Sequence, residues 1–502
     1  MIFVKRGILK CELTNVDSYL KSALKNELSY EDQNQIIARA VAKKRFGYIP
    51  RRLAWPGITY LINEKDQFDS GLLKRVTNLF EARGESYTFL PEKEMPKANP
   101  LSLQESLDLW KHQQEAVEAI KKNITGIIRI GTGGGKTKLS IVACSEIGQF
   151  PFLFVVNRIT LLDQTHDEYV KYFGESIGYI GNGRVEVQRI NIATIGTLCS
   201  MLKIKLSSLD DDEELNYTVE QIKAAKELLK ACRYVIIDEC HHAAATTYKT
   251  LLGALPCAYY RIGLSATPFR TDGADILLTA AFGEIIYDKS ASELIKEGIL
   301  AKPKIYMVQY KDLALTKKYP KKKKPDEPTP NYAKVYKECA VENTYFNTIV
   351  AKCAIVNAKL NRLTLISVKQ VKHGEAIFKI MKEIGSDIPS QFLHGKNKAA
   401  LDETKVRQDF ADGKIQILIS TLFDEGVDIP KIDTIVDAGG GRSPIKALQL
   451  VGRSIRKYQG KTKAFIYMFI QPYAHLYKHS VARYEILQTE EEFDIKVMDW
   501  KE

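Results

Sequence analysis

The sequence predicts an α/β protein with two successive parallel-sheet domains, preceded by a small α+β domain. Short apolar, β-rich runs separated by helical stretches form two series along the chain, with a lysine- and proline-rich segment between them. Near-continuous apolar strands joined by helices are typical of parallel sheets that helices cover on both faces. A chain of 502 residues also has room for three or four domains at about 100 to 200 residues each.

The small α+β domain is predicted over residues 1–97. Apolar runs IFVKRGIL, ITYLI and YTFL alternate there with amphipathic stretches such as DSYLKSALKNEL, and the proline-containing PEKEMPKANP closes it. Within it, KKRFGYIPRRLAWPG interleaves cations with aromatic residues. Cations attract phosphates and aromatic faces stack on bases, which favours a nucleic-acid contact; a solvated loop whose aromatics belong to the core is the alternative. The predicted contacts are Lys43, Lys44, Arg45, Arg51 and Arg52.

The first parallel-sheet domain is predicted over residues 98–310. Its strands are the runs TGIIRI, FLFVVN, INIATI, RYVIIDE and YRIGLSA, with helical stretches between them. Residues 207–231 interrupt the series and predict an acidic loop followed by an exposed helix.

A linker or flexible insertion is predicted at residues 311–334, where lysine and proline dominate and little is apolar enough to bury. The second parallel-sheet domain follows over residues 335–472 with the runs TLISVK, IQILIST, TIVDAG and AFIYMFI. Residues 473–502 are predicted as a tail made of a terminal helix and an extended end.

The net charge of +12 favours a polyanionic partner and leaves DNA, RNA and an acidic membrane open. No apolar run approaches the roughly 20 residues of a bilayer span, and the first residues lack the apolar core of a secretory signal. We therefore expect a cytoplasmic protein that does not enter a membrane. The cysteines are scattered without a CxxC pair, and in Cys240-His241-His242 consecutive side chains point to opposite faces, which disfavours a metal site.

A phosphate-binding loop is predicted in IIRIGTGGGKTKLS, where a strand leads into a glycine cluster and then a helix. Ile130 replaces the first glycine of the strict pattern. Lys136 is placed to reach the β and γ phosphates of ATP, and Thr137 to hold Mg²⁺; an ordinary glycine turn is the alternative. The predicted nucleotide contacts are Thr132, Gly133, Gly134, Gly135, Lys136 and Thr137.

Two carboxylates end the buried run RYVIIDECHH. Asp238 is predicted to hold Mg²⁺, and Glu239 to orient or deprotonate the attacking water. A solvated strand edge is the alternative for the pair alone. Together with Lys136, the carboxylates predict phosphoryl chemistry, which a nucleoside kinase would share.

Two arginines in ALQLVGRSIRK favour an ATPase over such a kinase. Arg453 and Arg456 are predicted one turn apart on one face of a helix, with Gln449 on the same segment. Guanidinium groups stabilise the charge on a transferring phosphoryl group, here when two domains close across a cleft. An exposed helix is the alternative for this motif alone.

From residue 109 to 457 these motifs resemble, in order, those of the superfamily 2 helicases. The resemblance rests on LWKHQQEA, GTGGGKT, VVNRITLLDQ, IATIGTL, DECH, SATPFR, STLFDEGVDIP and QLVGRSIR. It implies two RecA-like domains, a nucleotide-side role for Gln113, Gly426 and Asp428, and coupling of hydrolysis to strand movement through Ser265 and Thr267. It also implies nucleic-acid contacts at Arg158, Thr194 and Thr421. Trp110 and His112 depart from the commoner residues of the first motif.

Within the superfamily, GLSATPFRTDG and EIIYDKSASELIKEGILAKPKI are most similar to the group of UvsW-like phage branch-migration helicases, XPB-like helicases and restriction-enzyme motors. The resemblance implies an ATP- and Mg²⁺-dependent DNA helicase or translocase. It would track one strand and unwind or branch-migrate forked and junction DNA in replication, recombination or repair. We expect no obligate protein partner and, if the chain is phage-encoded, a location in the host cytoplasm. An RNA helicase, a non-unwinding translocase and an ATP-gated nucleic-acid clamp remain the alternatives.

Overall fold

The computed structural model describes most of the chain, and the account below concerns the residues that it describes. These are residues 1–51, 54–92, 94–203, 217–241, 245–267, 275–321, 330–385, 387–395, 403–421, 431–441, 443–458 and 460–501.

The N-terminal module is an α+β unit built on a four-stranded sheet of order β5-β2-β1-β6. Strand β6 pairs parallel to β1 while the other pairs are antiparallel. Helices α1 and α3 bury leucine, valine and phenylalanine side chains against the sheet. The elements are β1 (Ile2–Lys5), β2 (Lys10–Thr14), α1 (Ser18–Glu27), β3 (Ser29–Glu31), α2 (Gln33–Phe46), β4 (Ile58–Tyr60), β5 (Gln67–Asp69), a 3₁₀ turn (Ser70–Leu72), α3 (Leu73–Arg83) and β6 (Tyr87–Phe89).

The first parallel sheet has eight strands in the order β10-β9-β11-β8-β12-β13-β7-β14. All neighbours are parallel except β9 and β10. The five apolar runs predicted as strands are confirmed as β7, β8, β11, β12 and β13. The strands are β7 (Thr125–Ile130), β8 (Phe152–Val156), β9 (Gly178–Gly181), β10 (Arg184–Glu186), β11 (Ile190–Thr194), β12 (Tyr234–Ile237), β13 (Tyr260–Ser265) and β14 (Ile285–Lys289).

Helices connect these strands, and every residue of β8, β11 and β12 is buried. Such burial on both faces is what the unbroken apolar runs predict. The helix predicted after the acidic loop is confirmed as α8; residues 204–216 lie outside the described part. The helices are α4 (Lys111–Asn123), α5 (Lys136–Ile147), α6 (Ile159–Phe173), α7 (Ile195–Met201), α8 (Val219–Ala231), α9 (Ala245–Gly253) and α10 (Asp275–Phe282).

The N-terminal module packs directly on α10. A Cβ atom added to Gly71 would lie 2.1 Å from the backbone oxygen of Thr279 and 2.8 Å from that of Ala280. Ala280 belongs to the module's own apolar core. Beside this contact the buried Arg261 of β13 donates from Nη2 to Ser70 Oγ at 2.5 Å, and burial lowers the pKa of its guanidinium to about 10. The module and the first parallel sheet therefore share one packed interface.

The second sheet has seven strands, all parallel, in the order β17-β18-β16-β19-β20-β15-β21. The four predicted runs are confirmed as β16, β18, β19 and β20. The elements are α11 (Ala291–Lys296), β15 (Lys302–Gln309), α12 (Leu313–Lys318), α13 (Tyr332–Tyr336), a π-helical turn (Lys337–Val341), α14 (Thr344–Lys359), β16 (Thr364–Ser367), α15 (Val371–Ile384), β17 (Ser390–Leu393), α16 (Glu403–Ala411), β18 (Ile417–Ser420), β19 (Thr434–Asp437), α17 (Pro444–Ser454), β20 (Lys463–Ile470), α18 (Leu476–Leu487) and β21 (Asp494–Asp499).

The chain divides into two compact units. One comprises residues 1–130 and 135–289, and the other residues 131–134 and 290–502. The predicted boundary at residue 310 is therefore wrong, because β15 joins the second sheet between β20 and β21. The predicted separate tail is also wrong, since β21 pairs along its whole length with β15 as the sheet's edge strand.

The predicted linker at residues 311–334 is folded where the structure describes it. Helix α12 occupies its first part, Tyr319 is buried in the core of the second unit, and Pro320 pairs with Tyr473. The lysine-rich composition of the segment hid this tyrosine anchor. Residues 322–329 lie outside the described part of the chain.

In the described part of the chain, none of the helices is both long enough and apolar enough to cross a membrane.

Gly71→Ala should loosen the packing of the N-terminal module on α10. The added methyl would overlap two backbone oxygens that cannot rotate away, so we expect a loss of about 1–3 kcal/mol in the free energy of unfolding. Denaturant-induced unfolding measures the loss. The matched control is Gly253→Ala, because no atom lies within 4 Å of a Cβ placed at that glycine. Equal stabilities of the two variants would contradict the close approach.

Candidate nucleotide site

The glycine loop lies between β7 and α5, as the phosphate-loop pattern predicts. Gly133 (φ 91°) and Gly135 (φ 76°) adopt left-handed backbone conformations that other residues adopt only with strain. The Gly134 amide donates to the Gly131 oxygen at 3.0 Å, which closes a turn. Helix α5 begins at Lys136. The positive end of its dipole therefore lies at the loop, where it favours an anionic phosphate.

The side chain of Gln113 holds the loop from α4. Its Nε2 donates to the Gly135 oxygen at 3.1 Å, and its Oε1 accepts from the Trp110 amide at 2.9 Å. A Cβ added to Gly135 would lie 2.1 Å from Nε2, so a larger residue there would displace the Gln113 amide, in addition to straining the backbone at this φ. The adenine-side role of Gln113 stays a prediction; the described contacts show a residue that supports the phosphate loop.

Three neighbouring strands deliver the reactive side chains to one edge of the first sheet. Lys136 follows β7, Ser265 ends β13, and Glu239 follows β12, with β13 lying between the other two. Lys136 Nζ lies 3.2 Å from Glu239 Oε1, and both side chains are largely buried. The structure thus brings the predicted lysine and carboxylate together.

The two carboxylates of the DECH segment differ in setting. Glu239 has a positive φ of 46°, a strained conformation for a residue other than glycine, and its amide donates to Asp238 Oδ1 at 2.9 Å. Burial, and then the charge of Glu239, raise the pKa of the Asp238 carboxyl to about 6 against the opposing effect of Lys136. A cation beside Asp238 would offset both causes.

A line of polar contacts runs from this site into the SAT segment, residues 265–267. His241 Nδ1 lies 3.5 Å from Glu239 Oε2 and 2.7 Å from Ser265 Oγ, and the Thr267 amide donates to Ser265 Oγ at 3.1 Å. The sequence did not predict this role, since His241 stood out there only as part of a disfavoured metal site. Its place two residues after Glu239 was the available signal.

The residues proposed for Mg²⁺ suit that ion by their chemistry. Thr137 offers a hydroxyl in the first turn of α5, and Asp238 a carboxylate at the end of β12; both are the oxygen donors that Mg²⁺ prefers. Among the described residues, no group of three or more His, Cys, Asp or Glu side chains could hold a metal alone. Nucleotide phosphates and water would have to supply the other ligands.

Helix α17 carries Gln449, which is buried, and Arg453 in its last turn. The prediction that Arg456 lies on the same helical face is wrong, because α17 ends at Ser454 and Arg456 forms a β-bridge with Leu300. Next to this bridge, the Ala301 amide donates to the Ile455 oxygen at 2.7 Å.

The predicted nucleic-acid residues have mixed positions. Arg158 is exposed before α6, and Thr421 is partly exposed after β18. Thr194 is 2% exposed, and its hydroxyl caps α7 by accepting from the Thr197 amide, so a side-chain contact from Thr194 is corrected to a structural role. Lys43 and Arg51 are exposed. Lys44 and Arg45 are described only as part of α2, and Arg52, Gly426 and Asp428 lie outside the described residues.

Two family models match the chain. The type III restriction enzyme res subunit matches residues 106–270. The helicase conserved C-terminal domain matches residues 347–458. Together they span more than half of the chain and include both the glycine loop and the arginine motif.

Named helicases are similar over most of the chain. A viral protein named as a helicase, from Sulfolobus islandicus filamentous virus, is 28% identical over 73% of this chain and 64% of its own length. The DNA 3'-5' translocase XPB2 of Sulfurisphaera tokodaii is 29% identical over 71% of this chain and 80% of its own. The ATP-dependent DNA helicase uvsW of Enterobacteria phage T4 is 26% identical over 72% and 68%, respectively. The chain thus spans less than two thirds of the first of these relatives.

Solved structures support the fold. The ATP-dependent type ISP restriction-modification enzyme LlaBIII bound to DNA superposes with a TM-score of 0.55 at 15% identity, over 78% of this chain and 31% of that one.

The two parallel-sheet domains, the glycine loop and the paired carboxylates define a helicase core with two RecA-like domains. The chain belongs to the superfamily 2 helicases. The predicted resemblance, including its similarity to the UvsW group, is confirmed.

Lys136→Ala should abolish ATP hydrolysis and leave the fold intact. The substitution removes the cation that pairs with Glu239 and is placed to meet the phosphates, while the α5 backbone stays helical. Phosphate release and the melting temperature measure the two effects. Lys138→Ala is the matched control, an exposed lysine on the same helix turn. Retained turnover in Lys136→Ala would refute the assignment of the loop.

Proposed function

We propose that the protein is an ATP-dependent DNA motor that unwinds or branch-migrates forked and junction DNA. The observation that carries the proposal is the line from Lys136 through Glu239 and His241 to Ser265, which links the phosphate loop to the SAT segment. A protein that only binds nucleotide has no need of such a connection.

The ion pair between Lys136 and Glu239 suggests how nucleotide binding begins. The triphosphate competes with Glu239 for the Lys136 ammonium, so the lysine turns towards the β and γ phosphates and leaves Glu239 beside the incoming water. Glu239 then orients that water and accepts its proton. Thr137 and Asp238 would hold Mg²⁺, which would supply charge neutralisation on the phosphates.

A change of charge at Glu239 is transmitted to the SAT segment through His241. Hydrolysis changes the charge next to the imidazole, and Ser265 receives the change because its hydroxyl bonds the ring and the Thr267 amide. Arg453 and Arg456 of the second domain are proposed to stabilise the charge that develops on the transferred phosphoryl group. Gly426, Asp428 and Gln449 are proposed on the nucleotide side of that domain.

DNA is the proposed track because XPB2 is named as a DNA 3'-5' translocase and the phage T4 relative as a DNA helicase. The net charge of +12 suits a polyanion, and backbone contacts serve a motor that must cross every sequence. We propose 3′-to-5′ tracking on one strand. We also propose action without an obligate protein partner and a place in the cytoplasm, that of the host if the chain is phage-encoded.

The test of the proposed function compares substrates on the wild-type protein. ATP turnover is measured with no nucleic acid, single-stranded DNA, a DNA fork or RNA, and strand separation with labelled DNA and RNA forks. We expect DNA to stimulate turnover and the DNA fork to open only with ATP and Mg²⁺. Opening of the RNA fork alone would favour an RNA helicase. DNA-stimulated turnover without strand separation or branch migration would reduce the activity to translocation, and binding without stimulated turnover would indicate a clamp.

Ser265→Ala should separate ATP hydrolysis from DNA unwinding. The serine joins His241 to Thr267 without being placed to touch phosphate, so DNA-stimulated turnover should stay within about threefold while fork unwinding falls by about tenfold or more. Ser145→Ala is the control, a buried serine of the same domain that bonds the Leu101 oxygen. A parallel loss of turnover and unwinding in Ser265→Ala would contradict a coupling role.

A further inference from the structure

The N-terminal module carries a projection, residues 29–60, that we call the α2 lobe. Strands β3 and β4 form a two-stranded sheet at its base, and α2 lies between them. The apolar core of the module includes Leu28 and Leu61 on either side of the lobe but none of the lobe's described residues. The lobe therefore lies outside the apolar core of the module.

The lobe is strongly basic. From residue 33 to 60 the sequence contains six cations and no acidic residue. The cations are Arg39, Lys43, Lys44, Arg45, Arg51 and Arg52. Because the lobe also contains Glu31 and Asp32, residues 29–60 carry a net charge of +4, one third of the +12 of the whole chain, which favours a polyanionic partner.

The same lobe exposes large apolar and aromatic side chains of a kind that soluble proteins usually bury. Tyr48 is 64% exposed and Trp55 42%. The remaining exposed members are Ile37, Val41 and Tyr60. The sequence alone left open whether the aromatics belong to the core; Tyr48 and Trp55 do not. Basic and aromatic groups together suit phosphates and base faces.

Trp55 is fixed in this exposed position. Arg39 Nη1 donates to the Ala54 oxygen at 2.6 Å and to the Trp55 oxygen at 2.9 Å. Gln35 Nε2 donates to the same Trp55 oxygen at 3.1 Å, and the indole Nε1 donates to the Ile58 oxygen at 3.1 Å. The indole NH is thus satisfied within the lobe while part of the ring faces outward. A ring held in place loses little conformational entropy when it binds.

We propose that the α2 lobe binds the branch point of the DNA and that Trp55 stacks on an unpaired base there. The inference rests on the proposed function and extends it to a residue that selects the substrate. The cations of the lobe hold the backbone of any sequence. The tryptophan distinguishes a branch from a continuous duplex, because a base whose face is accessible occurs where pairing and stacking are interrupted.

The experiment measures the affinity of Trp55→Ala for a fork and for a blunt duplex of equal length at one salt concentration. Loss of base stacking predicts an affinity for the fork at least about fivefold weaker, with little change for the duplex. Trp55→Phe should retain most of the preference, because it keeps an aromatic face. Tyr19→Ala is the matched control, since Tyr19 is an exposed aromatic of the same module, outside the lobe. Turnover stimulated by single-stranded DNA should be unchanged in all three variants.

A second readout uses 2-aminopurine at the unpaired position of the fork. Its fluorescence should be quenched by the wild-type protein and by Trp55→Phe, but not by Trp55→Ala. Equal fork preference in Trp55→Ala and Tyr19→Ala, or equal loss of fork and duplex affinity in Trp55→Ala, would overturn the assignment. A wild-type protein whose turnover no DNA stimulates would instead refute the proposed function, so the two failures are distinct.

Discussion

The ion pair between Lys136 and Glu239 is the interaction on which the candidate site depends. It joins the ends of β7 and β12, which are not neighbours in the sheet, and β13 ends between them. The two largely buried charges stabilise one another, since either alone would be costly to bury. The ion pair therefore preorganises the site. To bind, the triphosphate must replace Glu239 as the partner of Lys136.

The sequence predicted those parts of the fold that short-range patterns determine. Unbroken apolar runs predicted nine strands of the parallel sheets, and adjacent glycines and carboxylates predicted the nucleotide site. His241 was missed as a connector because its partner Ser265 is distant in sequence and reaches it only through strand pairing. No local sequence pattern predicts such a contact.

The errors arose where a distant segment determines the local structure. Arg456 continues a helical pattern, yet its bridge with Leu300 ends that pattern. Strand β15 follows the first series in sequence, but its partners β20 and β21 come more than 150 residues later. Similarly, Tyr319 lies in a lysine-rich segment whose composition predicts exposure to solvent. Its ring is nevertheless buried in the core of the second unit.

The close approach of Gly71 to α10 has a practical consequence for protein engineering. The proline-containing segment after residue 90 looks like a place where modules could be exchanged between related motors. However, the module packs against α10 and Arg261, which lie almost two hundred residues further along the chain. A chimaera joined in that segment would pack a foreign module against a surface of α10 that is not complementary to it. A transplant that carries the facing surface of α10 with it should dock and move as one body with its new host.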